Sequence, residues 1–130
     1  MRSSAGKREA LVVAQTSRID VSVLDGVAIV AAVGEFDLQA RDRLLSELEN
    51  AATELCARVV VDLAGVSFLD SSCVGALVCA SRTAKGVGGS LHLAAARDNV
   101  RRVLEVTEVG EFLGLYPDVA SAVRASADGG

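Results

Sequence analysis

One stretch gathers more chemistry-bearing side chains than any other part of the chain: Val66-Ser67-Phe68-Leu69-Asp70-Ser71-Ser72-Cys73-Val74-Gly75. An apolar run ends there, a carboxylate and two hydroxyls follow, and a helical pattern starts at about Ser72. The first backbone N–H groups of a helix have no partners inside it, and the macrodipole adds about half a positive charge. Such a place accepts an anion and would stabilise a phosphate carried by Ser71. The plainer use of the same residues is capping, since Asp and Ser are favoured N-caps worth about 1 kcal/mol. Two serines after one Asp are more hydroxyl than a cap needs. Spacing alone leaves both uses open.

Other chemistries are poorly supplied. A single histidine, His92, leaves little for a His-based triad or a His-rich metal site, and its place in a strand pattern reads as structural. No base, nucleophile and oxyanion set can be assembled, so catalysis is not expected, and neither a cofactor nor a metal. Gly86-Val87-Gly88-Gly89-Ser90 lacks the lysine and spacing of a phosphate-binding P-loop. Aromatic residues are Phe36, Phe68, Phe112 and Tyr116 with no Trp, too few for base stacking. A net charge of -4 and a pI near 4.9 argue against direct nucleic-acid binding. Arg58, Arg97, Arg101 and Arg102 could form a basic patch or simply a solvated face.

Cys56, Cys73 and Cys79 are odd in number and lack CxxC spacing, which fits a reducing cytoplasm. Six residues along one helix put Cys73 and Cys79 about 9 Å apart, beyond disulfide reach. Nothing approaches the ~18–20 apolar residues of a membrane span. The apolar run Ala10 to Ala14 is shorter than the ~7–15 residues a signal peptide needs.

The elements that must position the Asp-Ser-Ser run can be read in order. A length of 130 residues with 51% hydrophobic content suits one domain with a buried core. Residues 1–18, with Arg2, Lys7, Arg8 and Arg18 against Glu9, read as a flexible basic extension. Residues 125–130 read as a tail, which leaves 19–124 for the domain. Asp25-Gly26 between Ile19–Leu24 and Val27–Val33 signals a hairpin.

Residues 37 to about 55 follow as a helix with Leu44, Leu48, Ala51 and Leu55 inward, and Leu45 and Ala52 beside them. Arg58–Leu63 reads as a strand covered on both faces. A second helix from about Ser72 to Lys85 presents Val74, Leu77, Val78 and Ser81 on one side. Ser90–Leu93 is a strand, and Asp98–Thr107 a helix turned inward at Val100, Val103, Leu104 and Thr107. Phe112–Leu115 reads as a last strand and Pro117 as the first turn of a closing helix through Val123. The order ββαβαβαβα means an α/β domain, a mixed sheet of four to five strands with about four helices.

Phe68-Leu69-Asp70-Ser71-Ser72-Cys73-Val74-Gly75 resembles the F-[LM]-D-S-[ST]-G-[LV]-G signature of anti-sigma-factor antagonists, the bacterial branch of the STAS domains. Gly34-Glu35-Phe36-Asp37 resembles the family's G-E-[LIF]-D segment, and Val59-Val60-Val61-Asp62-Leu63 leads into the signature as it does there. Gly88-Gly89-Ser90-Leu91 and Val100-Arg101-Arg102-Val103-Leu104 resemble the later strand and helix. The likeness covers roughly residues 19–124.

The resemblance implies a cytoplasmic partner switch, a substrate rather than an enzyme. An unmodified antagonist binds an anti-sigma factor that is also a serine kinase, and so frees a sigma factor. The kinase then phosphorylates the serine after the signature Asp, here Ser71, and the complex dissociates. A metal-dependent serine phosphatase reverses the mark. Gly34, Glu35, Asp37, Asp70, Ser72, Cys73 and Gly75 are then expected on the partner surface, with Asp70 capping the helix and Gly75 letting it pack closely on its neighbour. Such a protein would be a monomer or weak dimer touching neither membrane nor nucleic acid.

Cys73 departs from the pattern, standing where the signature has Gly. A first-turn thiol could be acidic enough for redox tuning, and a buried Cys acting as a small apolar residue is the alternative. Within the fold, the rivals are a non-switching STAS scaffold of a stress-signalling assembly and an accessory subunit of a lipid-transport complex. A small-ligand or nucleotide-binding domain is the rival outside it.

Overall fold

Asp25 and Gly26 take positive φ, 54° and 75°, the backbone a two-residue hairpin turn demands. In the computed structural model, which describes residues 17–127, that turn folds β1 (Ser17–Leu24) antiparallel onto β2 (Val27–Phe36). The remaining strands, β3 (Arg58–Leu69), β4 (Ser90–Ala94) and β5 (Leu115–Tyr116), add in parallel. The five-stranded sheet therefore runs β1-β2-β3-β4-β5. Among the described residues five α-helices complete the domain: α1 (Arg41–Asn50), α2 (Ser71–Gly86), α3 (Asp98–Val106), α4 (Val109–Leu113) and α5 (Val119–Ala127).

The two faces of the sheet are covered unequally. One carries the main core, where Val30, Val59, Val61 and Leu93 meet Leu44 and Leu48 of α1, Leu77 and Ala80 of α2, and Val100 and Leu104 of α3. The other carries a smaller cluster of Val27, Ile29, Val60 and Ala94 under Ala122 and Val123 of α5. On α2 the buried stripe is mostly small, with Cys73, Ala76, Ala80 and Ala84, and Val78 lies at its margin.

Several boundaries differ from those expected. Ser17 and Arg18 belong to β1, and Ala125–Ala127 to α5; residues 1–16 and 128–130, the bulk of the expected extension and tail, lie outside the described residues. Strand β3 runs to Leu69 instead of Leu63 because its pairing with β2 slips twice, at Ala31/Val33 and at Gly34/Glu35. Each slip inserts an extra β3 residue and breaks the alternation that marks a strand. The first helix is three pieces: a 3₁₀ turn over Leu38–Ala40, α1, and a wide π-turn over Ala51–Leu55, closed by Cys56 N–H on the Ala51 carbonyl at 3.0 Å. The widened turn swings Leu55 outward to 55% exposure while Ala51 and Ala52 stay buried.

Where a strand was expected at Phe112–Leu115, the chain makes α4 with Gly110 and Leu113 inward. Gly114, at φ 87°, then reverses it into the two residues of β5. Thr107 is exposed as the C-cap of α3. Pro117 precedes the last helix, which is capped by Asp118, its carboxylate accepting the Ser121 N–H at 2.7 Å. No helix among the described residues is long and apolar enough to cross a membrane.

Candidate functional site

The C-terminal ends of β2 and β3 converge on the Asp-Ser-Ser run. Glu35 pairs with Phe68 and Phe36 with Leu69, and the Asp70 N–H donates to the Phe36 carbonyl at 2.9 Å. The Gly34-Glu35-Phe36-Asp37 segment is thereby placed beside the start of α2. Gly34 sits at φ 105°, a backbone that suits glycine, where the strand register slips. Phe36 is buried and anchors the segment, which leaves Glu35 and Asp37 exposed on either side.

Both carboxylates after the strands serve as caps. Asp37 accepts the N–H groups of Gln39 at 3.1 Å and Ala40 at 3.3 Å. Asp70, extended at φ -78° and ψ 152°, accepts the Ser72 N–H at 2.7 Å. That backbone donor holds the Asp70 carboxyl below the usual carboxylate range. Next to it Ser71 opens α2 with its side chain exposed. Ser72 turns inward instead, and its Oγ is buried without a hydrogen-bond partner among the described residues.

Of the residues expected on the surface, Ser72 and Cys73 turn inward, and Gly75 is exposed but without its expected packing role. Cys73 is fully buried, and its thiol donates to the Asp37 carbonyl at 3.3 Å. Burial pushes the thiol pKa up, so the acidic first-turn thiol weighed for redox tuning is not what this position holds. Cys73 is a core residue under the surface, pinning the 3₁₀ turn to α2. Gly75 is exposed, and a Cβ there would meet nothing within 4 Å, so it does not mediate close helix packing. It lies open on the outward side of α2, one turn beyond Ser71.

Three apolar residues absent from the expected surface flank the site: Leu38, 67% exposed, Phe68, 47%, and Val106, 78%. The signal for Leu38 and Val106 was an apolar residue off its helix's inner stripe, and for Phe68 a place within a strand whose slips hid its facing. A cleft beside Ser71 has α2 as one wall and Asp98, Asn99, Arg102, Val103 and Val106 of α3 as the other. The Asn99 amide holds this corner, donating to the Ser67 carbonyl at 2.7 Å.

The basic patch considered from sequence does not assemble. Arg58 begins β3 at the opposite end of the sheet, and Arg97 donates to the Ala64 carbonyl at 2.9 Å. Arg101 pairs with Asp98 at 2.7 Å, and only Arg102 faces the cleft. His92 is buried in β4 with its Nδ1 3.2 Å from Ser126 Oγ, a structural position as expected.

Comparison with known proteins agrees with this fold. The STAS domain model matches residues 18–122. An anti-sigma F factor antagonist of Paenibacillus polymyxa is 24% identical over 99 residues, spanning 75% of this chain and 85% of that relative. The crystal structure of an anti-sigma factor antagonist from Mycobacterium paratuberculosis superposes with a TM-score of 0.75 at 25% identity, covering 85% of this chain and 94% of the other. The murine anion transporter Slc26a9 contains the same fold, with a TM-score of 0.71 at 19% identity over 95% of this chain and 24% of the transporter. The match begins in β1 and reaches into α5, taking in every strand and both segments of the candidate site, so the chain belongs to the STAS domain family.

Proposed function

We propose that the protein is an anti-sigma-factor antagonist whose binding to an anti-sigma factor is switched off by phosphorylation of Ser71. The observation that carries the reading is that Ser71 is exposed at the first position of α2, which the Asp70 N–H bond to the Phe36 carbonyl ties to the strand ends carrying exposed Glu35, Asp37 and Phe68. In this reading the unmodified face docks on an anti-sigma factor that is a serine kinase, and a sigma factor is released. Leu38 and Phe68 supply apolar contact around the hydroxyl, and Gly75 leaves room on α2 for the partner to come close. A cytoplasmic serine phosphatase resets the cycle, and this chain contributes substrate and surface but no catalysis.

Phosphorylation adds about 1.5–2 negative charges at pH 7. The helix N-terminus receives that charge, so the domain itself need not rearrange. The cost falls on the complex, where the dianion must be desolvated and acidic neighbours repel it. Like charges across an interface cost several kcal/mol, and about 3–4 kcal/mol is a few-hundred-fold in affinity.

Incubation with an anti-sigma kinase and ATP, followed by peptide mass spectrometry, tests the reading. One phosphate on Ser71 is expected, and none in Ser71→Ala, which should fold normally and keep its grip on the kinase. If no such kinase binds or modifies the protein, the non-switching scaffold or accessory subunit becomes the better account.

A further inference from the structure

The cleft beside Ser71 combines three features that favour a phosphate. Two helices, α2 of 16 residues and α3 of 9, begin at its walls, with Ser71 and Asp98 as their first residues. The first turn of α3 has no side-chain cap, so its leading N–H groups keep their positive potential. Arg102 lines the same cleft and makes no ion pair among the described residues, whereas the adjacent Arg101 is engaged by Asp98 at 2.7 Å and by Glu105 at 3.9 Å. That engagement also offsets the charge of Asp98, the one carboxylate in the cleft wall.

We propose that Arg102 is the counter-ion for a phosphate on Ser71, drawing the modified side chain into the cleft against α3. This rests on Ser71 as the modified residue. In the modification the Ser71 Oγ–H bond gives way to Oγ–P as the β–γ linkage of ATP breaks. ADP leaves and the hydroxyl proton passes to the kinase's base or to water. A guanidinium suits the product because it offers paired donors in the geometry of phosphate oxygens. The pairing changes the partner surface twice, by placing a dianion at the start of α2 and by engaging the exposed, otherwise unpaired cation of Arg102 in the cleft.

The test installs phosphoserine at position 71 during translation, so it needs no kinase. Failure of the kinase assay would therefore sink the proposed function without touching this result. The second ionisation of the phosphate is followed by 31P NMR titration in the otherwise native protein, in Arg102→Gln and in Arg101→Gln. An opposite charge nearby favours the dianion, so the native background should titrate about one pH unit below Arg102→Gln. Arg101→Gln acts only by freeing Asp98 from its partner and should move the titration less than Arg102→Gln, and Arg102→Lys should fall between the native and Arg102→Gln backgrounds. Equal titration in the native and Arg102→Gln backgrounds overturns the proposal. So does a larger shift on losing Arg101 than on losing Arg102.

Discussion

Ser71 and Cys73 stand two residues apart and do opposite jobs because the first turn of α2 points one outward and the other into the core. An acidic group at position 71 should therefore act on the complex and leave the fold alone. Ser71→Asp places less charge than a phosphate in the same location, and it is expected to weaken the proposed complex with an anti-sigma factor by at least tenfold with no change in melting temperature. Titration calorimetry reads the affinity and a thermal melt the stability, and an unaltered affinity would remove the electrostatic account. For Cys73 the expectation is inertness. Brief alkylation of the native protein should label Cys56 and Cys79, both partly exposed, well before Cys73, because its thiol is enclosed and desolvation disfavours the reactive thiolate. Peptide mass spectrometry gives the order, and early labelling of Cys73 would mean that the start of α2 opens readily.

Helix α2 and the turn after it show how differently two glycines can be used. Gly75 faces open space in mid-helix, so Gly75→Ala should stabilise the domain by about 0.5–1 kcal/mol, the ordinary penalty of a helical glycine removed. If the partner approaches as proposed, the same change should reduce its affinity, which is what a glycine retained against stability would show. At Gly89, between α2 and β4, an added Cβ would run into the Ala57 carbonyl. Gly89→Ala should therefore cost roughly 1–3 kcal/mol or more in urea unfolding, by overpacking against backbone. The alternation of β1, the Asp-Gly turn and the Leu44/Leu48 spacing of α1 were legible in the sequence because each is local. The far half of β3 was not, because its extra residues are defined only by pairing with β2. Likewise the last strand was expected from Phe112, whereas Phe112 and Leu113 close α4 and the strand starts only at Leu115: Val109–Leu113 is a single helical turn too short to show a period. At the site, the two motifs marked segments that the fold does bring side by side. Which of their residues face out depended on strand slips and on the 3₁₀ turn, and so Ser72 and Cys73 were expected outside while Leu38 and Phe68 were overlooked.

At the scale of the domain, the sheet divides a thick layer of helices, with the candidate site at its edge, from a thin one that among the described residues is α5 alone. The thin side is where the chain's only histidine sits. Ser126 Oγ donates to the Ala122 carbonyl at 3.1 Å, which leaves it to accept from His92 Nδ1–H. Tyr116 of β5 packs edge-on at 5.5 Å between ring centroids. Burial, and secondarily the positive charge of Lys85, lower the His92 pKa from its ordinary 6.5. The unfolded chain then binds a proton that the folded one refuses, so stability is complete above about pH 6.5 and falls as pH drops below it. The slope can reach about 1.4 kcal/mol per pH unit for one proton, until the folded ring itself titrates. Protonation should loosen α5 first, since it rests on few buried side chains, while the α2 face stays packed. Urea midpoints measured from pH 8 to pH 5 should fall in the native protein and stay nearly level in His92→Gln. Hydrogen exchange at pH 5.5 should quicken in α5 before α2. A native protein as insensitive to pH as the variant would mean that His92 is free to take its proton within the fold, and that α5 is held more firmly than its small buried contact implies.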